Sequence, residues 1–503
     1  MPNRAVLVLV AAKLVLSLAY ANGYGYFRDE LYYLACARRL AWGYVDHPPF
    51  SVAVLAVERA VLGESLFAIR FVPALAGALL VWLTAWIARE LGGGRSAQIL
   101  AALAALVCPV YIGLSHFYSM NVFELVFWAA ATVIVARIFT ADAPARRLWI
   151  LLGVVLGLGL LNKLSVLWFV GGVFVGIVAT RHRRLLSTPG PWITIAIASL
   201  LFAPHIAWQV SHDWPTREFV RAATEQKMVA TPPLAFLAKQ VLEMHPLTAL
   251  LWIPGLGALL FWKPLERFRP LGIAYLAILA LLLVNQKSRS GYLAPAYPML
   301  FAAGGVLAER ATRSRRWIAA AYGGLLAAGG AMTAPFALPI LPVRTFIAYA
   351  AALGMTPSTE EKKEVGPLPQ FFADMHGWPE LAEAVARAAS TLSPEERADA
   401  VIFAGNYGEA GALEFFGPRL GLPPVICGHN NYWMWGAHGA TGRVVIVMDD
   451  DGSGLSERYE SVEHVATFEH PLVMPYENHL KIFVCRNRRA PIAPSWAAMK
   501  HYD

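Results

Sequence analysis

Residues 66–90 read Leu66-Phe-Ala-Ile-Arg-Phe-Val-Pro-Ala-Leu-Ala-Gly-Ala-Leu-Leu-Val-Trp-Leu-Thr-Ala-Trp-Ile-Ala-Arg-Glu90. An apolar run of this length is what an α-helix needs to cross the hydrocarbon core of a bilayer, roughly 17–25 residues. Similar windows recur at 5–22, 96–114, 121–140, 147–161, 165–180, 192–210, 247–262, 271–286, 293–309 and 317–338. The sequence therefore predicts an α-helical polytopic membrane protein of about eleven transmembrane helices. The first window follows Arg4 and lacks a small-residue cleavage site, so it is expected to be an uncleaved anchor.

Composition agrees with this reading. The 503 residues are 57% hydrophobic and only 15% charged, where soluble domains run to about a quarter charged. The net charge of +8 does not form a nucleic-acid footprint, because the basic residues gather in short loops between apolar runs. Arg89–Arg95, Arg137–Arg147, Arg181–Arg184, Lys263–Arg269 and Arg310–Arg316 fall on alternate connections. By the positive-inside bias these face the cytoplasm. The N-terminus is then cytoplasmic, and the loop after the first helix is external. Residues 116–121, 211–246, 287–298 and the C-terminal region share that external side. The expected location is the plasma (inner) membrane.

The apolar bias ends near residue 340. The predicted division is a transmembrane domain over 1–345, a charged, proline-bearing linker over 346–369, and a small extracytoplasmic α/β domain over 370–503. Within the last, helices are expected at 378–390 and 410–416, and strands at 400–404, 425–427, 444–448 and 482–485. Cys427 and Cys485 lie in this region, where pairing and two buried thiols are both open.

The first external loop holds Gly25-Tyr-Phe-Arg-Asp-Glu-Leu-Tyr-Tyr33 and Trp42-Gly-Tyr-Val-Asp-His-Pro-Pro49. Asp29 or Glu30 could serve as a general base, which must be ionised and within hydrogen-bond reach of its hydroxyl. The guanidinium of Arg28 suits a phosphate oxygen. Asp46 and His47 could hold a divalent cation or position the phosphate. A solvated interfacial helix explains the same residues without chemistry.

Asp29-Glu30, then Gly43-Tyr-Val-Asp-His-Pro-Pro49 and a long apolar helix, resemble the polyprenyl-phosphate-sugar-dependent GT-C glycosyltransferases. The closest resemblance is to glycosyltransferase family 39, with its protein O-mannosyltransferases and lipid A aminoarabinose transferases. Gly157-Leu-Gly-Leu-Leu-Asn-Lys163, the stretch from Trp208 to Pro215, and Gly291-Tyr-Leu-Ala-Pro-Ala-Tyr-Pro298 also match, so the resemblance covers roughly residues 1–340. It implies that Asp29 is the catalytic base, with Glu30 completing the pair. It also implies that Asp46-His47-Pro48 lies by phosphate and metal. His47 stands where the aminoarabinose transferases carry lysine, and Asn121 where related chains often carry Asp.

The implied function is inverting transfer of a sugar from a polyprenyl-phosphate donor to a lipid, glycan or protein hydroxyl on the outer face. A membrane transporter and a non-catalytic lipid- or glycan-binding relative are the alternatives. A phosphate leaving group needs positioned cations and donors. The external candidates are Arg28, Lys163, Lys287 and Arg289, with Tyr292 beside them; His47 is a further phosphate candidate. Lys287 and Arg289 run against the positive-inside bias, which either a phosphate or anionic headgroups of membrane lipids would explain. His212 and His245 could join Asp46 in a metal site, since imidazole and carboxylate suit zinc or manganese. As ordinary interfacial histidines they would need no metal.

Overall fold

The computed structural model describes residues 3–449 and 451–503. Among the described residues, six helices are long and apolar enough to cross a membrane: Leu66–Glu90, Met120–Thr140, Pro189–Ser211, Lys263–Val284, Ser290–Ala311 and Arg316–Phe336. Two bent pairs, Val166–Val178 with Arg181–Ser187 and Pro233–Glu243 with Pro246–Phe261, raise the number to eight if each pair is one span. The remaining three of the eleven predicted windows also fall on helices, but on short ones: Arg4–Ala19, Arg95–Val107 and Arg146–Leu160. The window 96–114 is broken because Pro109 offers no N–H and forces Cys108 into an extended conformation (φ −65°, ψ 115°).

Met120–Thr140 and Ser290–Ala311 are the most enclosed spans, while Pro189–Ser211 and Arg316–Phe336 lie at the periphery with most of their apolar surface outward. A soluble protein would not leave such faces uncovered. The chain is a multi-pass membrane protein.

Between the first two apolar helices lie Arg28–Ala37 and Phe50–Leu62, too short to span. Helix Val343–Ala352 straddles the residue-345 boundary expected from composition. Further on, five strands form one sheet: β1 Ala400–Ala404, β2 Val425–Cys427, β3 Val444–Asp449, β4 Tyr459–Phe468 and β5 Leu480–Arg488, in the order β2-β1-β3-β5-β4. β1 runs parallel to β2 and β3, pairing Ile402 with Ile446; β5 runs antiparallel to β3 and β4, pairing Ile446 with Val484. Helices Trp378–Ala389 and Tyr407–Leu420 pack on each other. β4 is the strand composition missed. It is an edge strand whose middle residues are charged and exposed, a pattern that reads as loop and also guards an open sheet edge. Cys427 and Cys485 are both free and buried, on strands separated by β1 and β3.

One contact fixes the position of this region against the membrane part. Helix Tyr407–Leu420 rides directly on helix Arg28–Ala37. A Cβ on Gly411 would meet the Leu31 backbone at 3.1 Å, and one on Gly408 would lie 2.6 Å from the Arg28 side chain. Two glycines one turn apart therefore allow the helices to touch. Leu31, Tyr32, Leu34 and Cys36 share one apolar core with Leu413, Cys427, Ile446 and Val484.

Candidate active site

The two acids that follow the first apolar helix go to different places. Glu30 is fully buried. Its Oε2 accepts from the Phe27 N–H at 2.8 Å and its Oε1 from the Tyr118 N–H at 2.9 Å, while Arg70 donates to both oxygens at 2.9 and 2.8 Å. Arg70 spends its other N–H groups on the carbonyls of Ala21, Gly23 and Gly25. The pair ties the end of the first apolar helix to the start of Arg28–Ala37. Glu30 caps and braces that helix, and its acceptor capacity is used up.

Asp29, its neighbour, points elsewhere and stays one-third exposed. The Tyr407 hydroxyl donates to its Oδ1 at 3.0 Å, and Arg28 Nε lies 3.8 Å from the same oxygen. Arg28 is buried. It donates to the Tyr476 hydroxyl at 2.7 Å, lies over the Tyr407 ring, and places Nη2 3.6 Å from Asp374 and 3.8 Å from Glu361. The C-terminal region thus supplies the partners that orient the first-loop residues.

Three cations from separate segments converge on Glu361. Glu361 Oε1 accepts from Arg289 Nη2 at 2.8 Å and lies 3.8 Å from both Arg28 Nη2 and Lys227 Nζ. Gln370 Nε2 donates to the other oxygen at 3.2 Å. Arg28, Lys227 and Glu361 form one wall of a cleft of about 570 Å³, lined further by Lys362, Lys363, Asn406, Tyr407, His429 and Tyr476. The cleft lies between loops of the membrane part and the α/β region.

The electrostatics follow from this convergence. Burial alone would raise the Glu361 carboxyl, but Arg28, Lys227 and Arg289 outweigh it and hold the pKa at about 2. Asp374 is pushed up to about 6, by burial first, with Arg28 opposing. Lys227 is lowered by burial and by the like charge of Arg28. Because Glu361 is more acidic in the folded chain than in the unfolded one, its ionised form stabilises the fold above about pH 4.5. That contribution is lost as pH falls from 4.5 toward 2, and is on the order of 3 kcal/mol. Asp374 has the opposite sign, so its cost grows as pH rises from about 4 to about 6. Unfolding of detergent-solubilised protein from pH 5 to 2.5 should show the Glu361 loss, and Glu361→Gln should flatten it.

The other predicted residues fall into different groups. Lys163 Nζ donates to Asn121 Oδ1 at 2.8 Å and Glu124 Oε2 at 2.6 Å, under the Tyr292 ring. It is neutralised by Glu124 rather than held for a ligand. Lys287 is half-buried, on the loop that carries Arg289. Asp46 accepts from the Tyr32 hydroxyl at 2.9 Å, and burial, with Asp29 adding like charge, raises its carboxyl pKa against His47 and Tyr32. His47 is buried and stacked on Tyr33, with Nε2 3.8 Å from Asp46. It is no part of the cationic wall.

The expected metal set of Asp46, His212 and His245 is not assembled. His212 is exposed and stacks on Trp208. His245 is buried at φ 75°, accepts from the Leu247 N–H, and presses on Gly329. Each histidine is used locally, so neither ring reaches Asp46. Among the described residues, His429, His501 and Asp503 have ligand atoms within 4.8 Å of one another at the cleft. Their hydrogen bonding does not fit a metal. The Tyr407 N–H donates to His429 Nδ1, so the proton of the neutral ring sits on Nε2, facing Asp503 at 3.4 Å.

Lys227, Glu361, Asp374, Tyr407, Tyr476 and Arg70 were not singled out from sequence. Arg70 carried a signal, as an arginine inside an apolar helix needs a partner. Tyr407 lies in Gly405-Asn-Tyr-Gly-Glu-Ala-Gly411, a strand-to-helix turn in which Asn406 Oδ1 caps the N–H groups of Gly408 and Glu409.

This bundle of apolar helices, meeting its appended α/β region at a cationic cleft, has the fold of solved GT-C glycosyltransferases. ArnT from Cupriavidus metallidurans, solved with undecaprenyl phosphate bound, superposes with a TM-score of 0.62 at 15% identity, over 95% of this chain and 97% of that one. An oligosaccharyltransferase of Archaeoglobus fulgidus tethered to an acceptor peptide gives 0.52 at 13% identity, over 83% and 63%. In sequence, the dolichyl-phosphate-mannose-protein mannosyltransferase family model matches residues 46–208. That match begins after Asp29 and Glu30. An undecaprenyl phosphate-alpha-4-amino-4-deoxy-L-arabinose arabinosyl transferase of Pseudomonas aeruginosa (strain UCBPP-PA14) is 31% identical over 129 residues, 25% of this chain and 23% of that protein. The chain thus matches about a quarter of the length of such relatives. The resemblance to polyprenyl-phosphate-sugar-dependent GT-C enzymes read from the sequence is borne out by these likenesses.

Proposed function

We propose that the chain is a membrane glycosyltransferase that moves a sugar from a polyprenyl-phosphate donor to an acceptor hydroxyl, with inversion. The observation carrying this reading is the one-third exposed Asp29 carboxylate, 3.8 Å from Arg28, which meets Lys227 and Arg289 around Glu361 at the cleft between membrane part and α/β region. Asp29 takes the proton from the acceptor oxygen as that oxygen attacks the anomeric carbon. The bond from that carbon to the phosphate oxygen breaks, and the phosphate leaves with the electron pair. Its charge rises from one negative toward two, and the three cations stabilise that increase. Tyr407 holds Asp29 by one lone pair and leaves the other oxygen for the acceptor.

The reading includes the loop topology. The N-terminus is cytoplasmic, and the cleft and residues 370–503 are extracytoplasmic, after a membrane domain over 1–345 and a linker over 346–369. A periplasm-active reporter fused after Asp503 should be active, and cytoplasm-only activity would overturn this arrangement. Similarity to aminoarabinose and mannose transferases supports pentosyl or hexosyl transfer to a lipid, glycan or protein. Incubating the purified protein with polyprenyl-phosphate sugars and each acceptor class should give transfer to one class. Lys227→Met and Arg289→Met should each raise the donor KM by about tenfold or more, since charge-assisted contacts are worth roughly 1.5–3 kcal/mol. Unchanged donor kinetics in both would refute the phosphate assignment.

A further inference from the structure

Three cations meeting on one carboxylate oxygen is an arrangement the fold did not require. They come from the helix at residues 28–37, the long loop near 227 and the loop before the helix at 297–311. All reach Glu361 Oε1. Glu361 is buried and stands on a stretch without helix, between Thr359 and Lys363. That stretch is tied down by the Val229 N–H to the Glu360 carbonyl at 3.3 Å, the Lys362 N–H to the Lys227 carbonyl at 2.9 Å, the Lys362 ammonium to the Glu225 carbonyl at 2.8 Å, and the Glu360 carboxylate, which accepts from the Ser290 hydroxyl at 2.9 Å and lies 3.6 Å from Lys239.

We infer that Glu361 is an internal counter-anion which fills the phosphate position between turnovers and competes with the polyprenyl phosphate product for Arg28, Lys227 and Arg289. This rests on the proposed function. The physical need follows from the reaction. The donor phosphodiester carries one negative charge, whereas the product monoester carries up to two near neutral pH. Cations arranged for the charge of the transition state therefore hold the product more tightly than the donor, and release becomes slow. A tethered carboxylate competing for the same cations lowers the affinity of every phosphate ligand by a fixed factor. It also keeps the cations paired when the lipid has gone, so that no buried charge is left alone. Gln370 Nε2, on the second oxygen, keeps the carboxylate turned toward them.

The test is binding of undecaprenyl phosphate to the full-length protein in detergent, by calorimetry, with product inhibition and single-turnover rates measured alongside. Glu361→Gln is expected to tighten binding by about tenfold, within the usual 5–150-fold range of coupling between competing states. The product inhibition constant should fall by the same factor, and steady-state kcat should fall below the single-turnover rate. Glu361→Asp should restore the native values. Gln370→Ala frees the carboxylate without touching a cation, and should tighten binding by a smaller factor even if Glu361→Gln folds poorly. Unchanged or weaker binding in both Glu361→Gln and Gln370→Ala, with both proteins folded at the assay temperature, would make Glu361 a strut and overturn the inference. Lys227→Met and Arg289→Met in the same assay separate the two levels. If they do not weaken binding, the phosphate assignment itself is wrong. If they do, and Glu361→Gln does not tighten it, only the counter-anion is wrong.

Discussion

Asp29→Asn is expected to lower the single-turnover rate by about 10²–10⁴-fold, the usual contribution of a general base. The donor KM should change by less than a few-fold, because the cations that hold the phosphate are untouched. Thermal unfolding should also be close to native. Asp29 is one-third exposed and makes one close hydrogen bond, to Tyr407, which an Asn carbonyl oxygen can still accept. This separates a lost base from a lost fold. Near-native transfer by a well-folded Asp29→Asn protein would remove Asp29 from the mechanism. Glu30 could not replace it, since its oxygens face Arg70 and two backbone N–H groups.

The second large effect is on stability. Arg70→Met should destabilise the protein by about 3–5 kcal/mol, the cost of leaving one partner of a buried ion pair uncompensated. Glu30 would keep its charge with only two N–H donors, and the carbonyls of Ala21, Gly23 and Gly25 would lose theirs. Adding Glu30→Gln should recover part of the loss, because the stranded charge is then gone. Unfolding of the three variants in detergent, analysed as a double-mutant cycle, gives the coupling directly. A loss under 1 kcal/mol for Arg70→Met would mean the pair does not tether the first external helix. The activity of surviving protein should fall as well, since Arg28 and Asp29 stand on that helix.

The contrast between Asp29 and Glu30 shows how far the sequence could be read. Both are acids at adjacent positions in a loop between apolar helices, and nothing in the local pattern separates them. A helix turns about 100° per residue, so one faces the cleft while the other faces the bundle. Lys163 and Arg289 tell a similar story. Both were legible as cations near the outer boundary, but Lys163 is matched by Glu124 on a neighbouring span, and Arg289 is drawn to Glu361 across 72 residues. The histidines proposed for a metal failed for the same reason, since only the packing shows that His245 serves a turn and His212 a tryptophan ring.

By itself the sequence determined that the chain crosses a membrane many times, because bilayer thickness acts directly on the length of each apolar run. It also marked four of the five strands, whose buried apolar residues are contiguous. The tertiary structure alone decided which charges meet. Arg28, Lys227, Arg289 and Glu361 lie in four segments far apart in the chain, and Tyr407 comes from a region folded hundreds of residues later. Coulomb and hydrogen-bond energies depend on separation in space. The cleft and its cationic wall therefore exist only where helix Tyr407–Leu420 closes, through Gly408 and Gly411, onto the helix that carries Arg28 and Asp29.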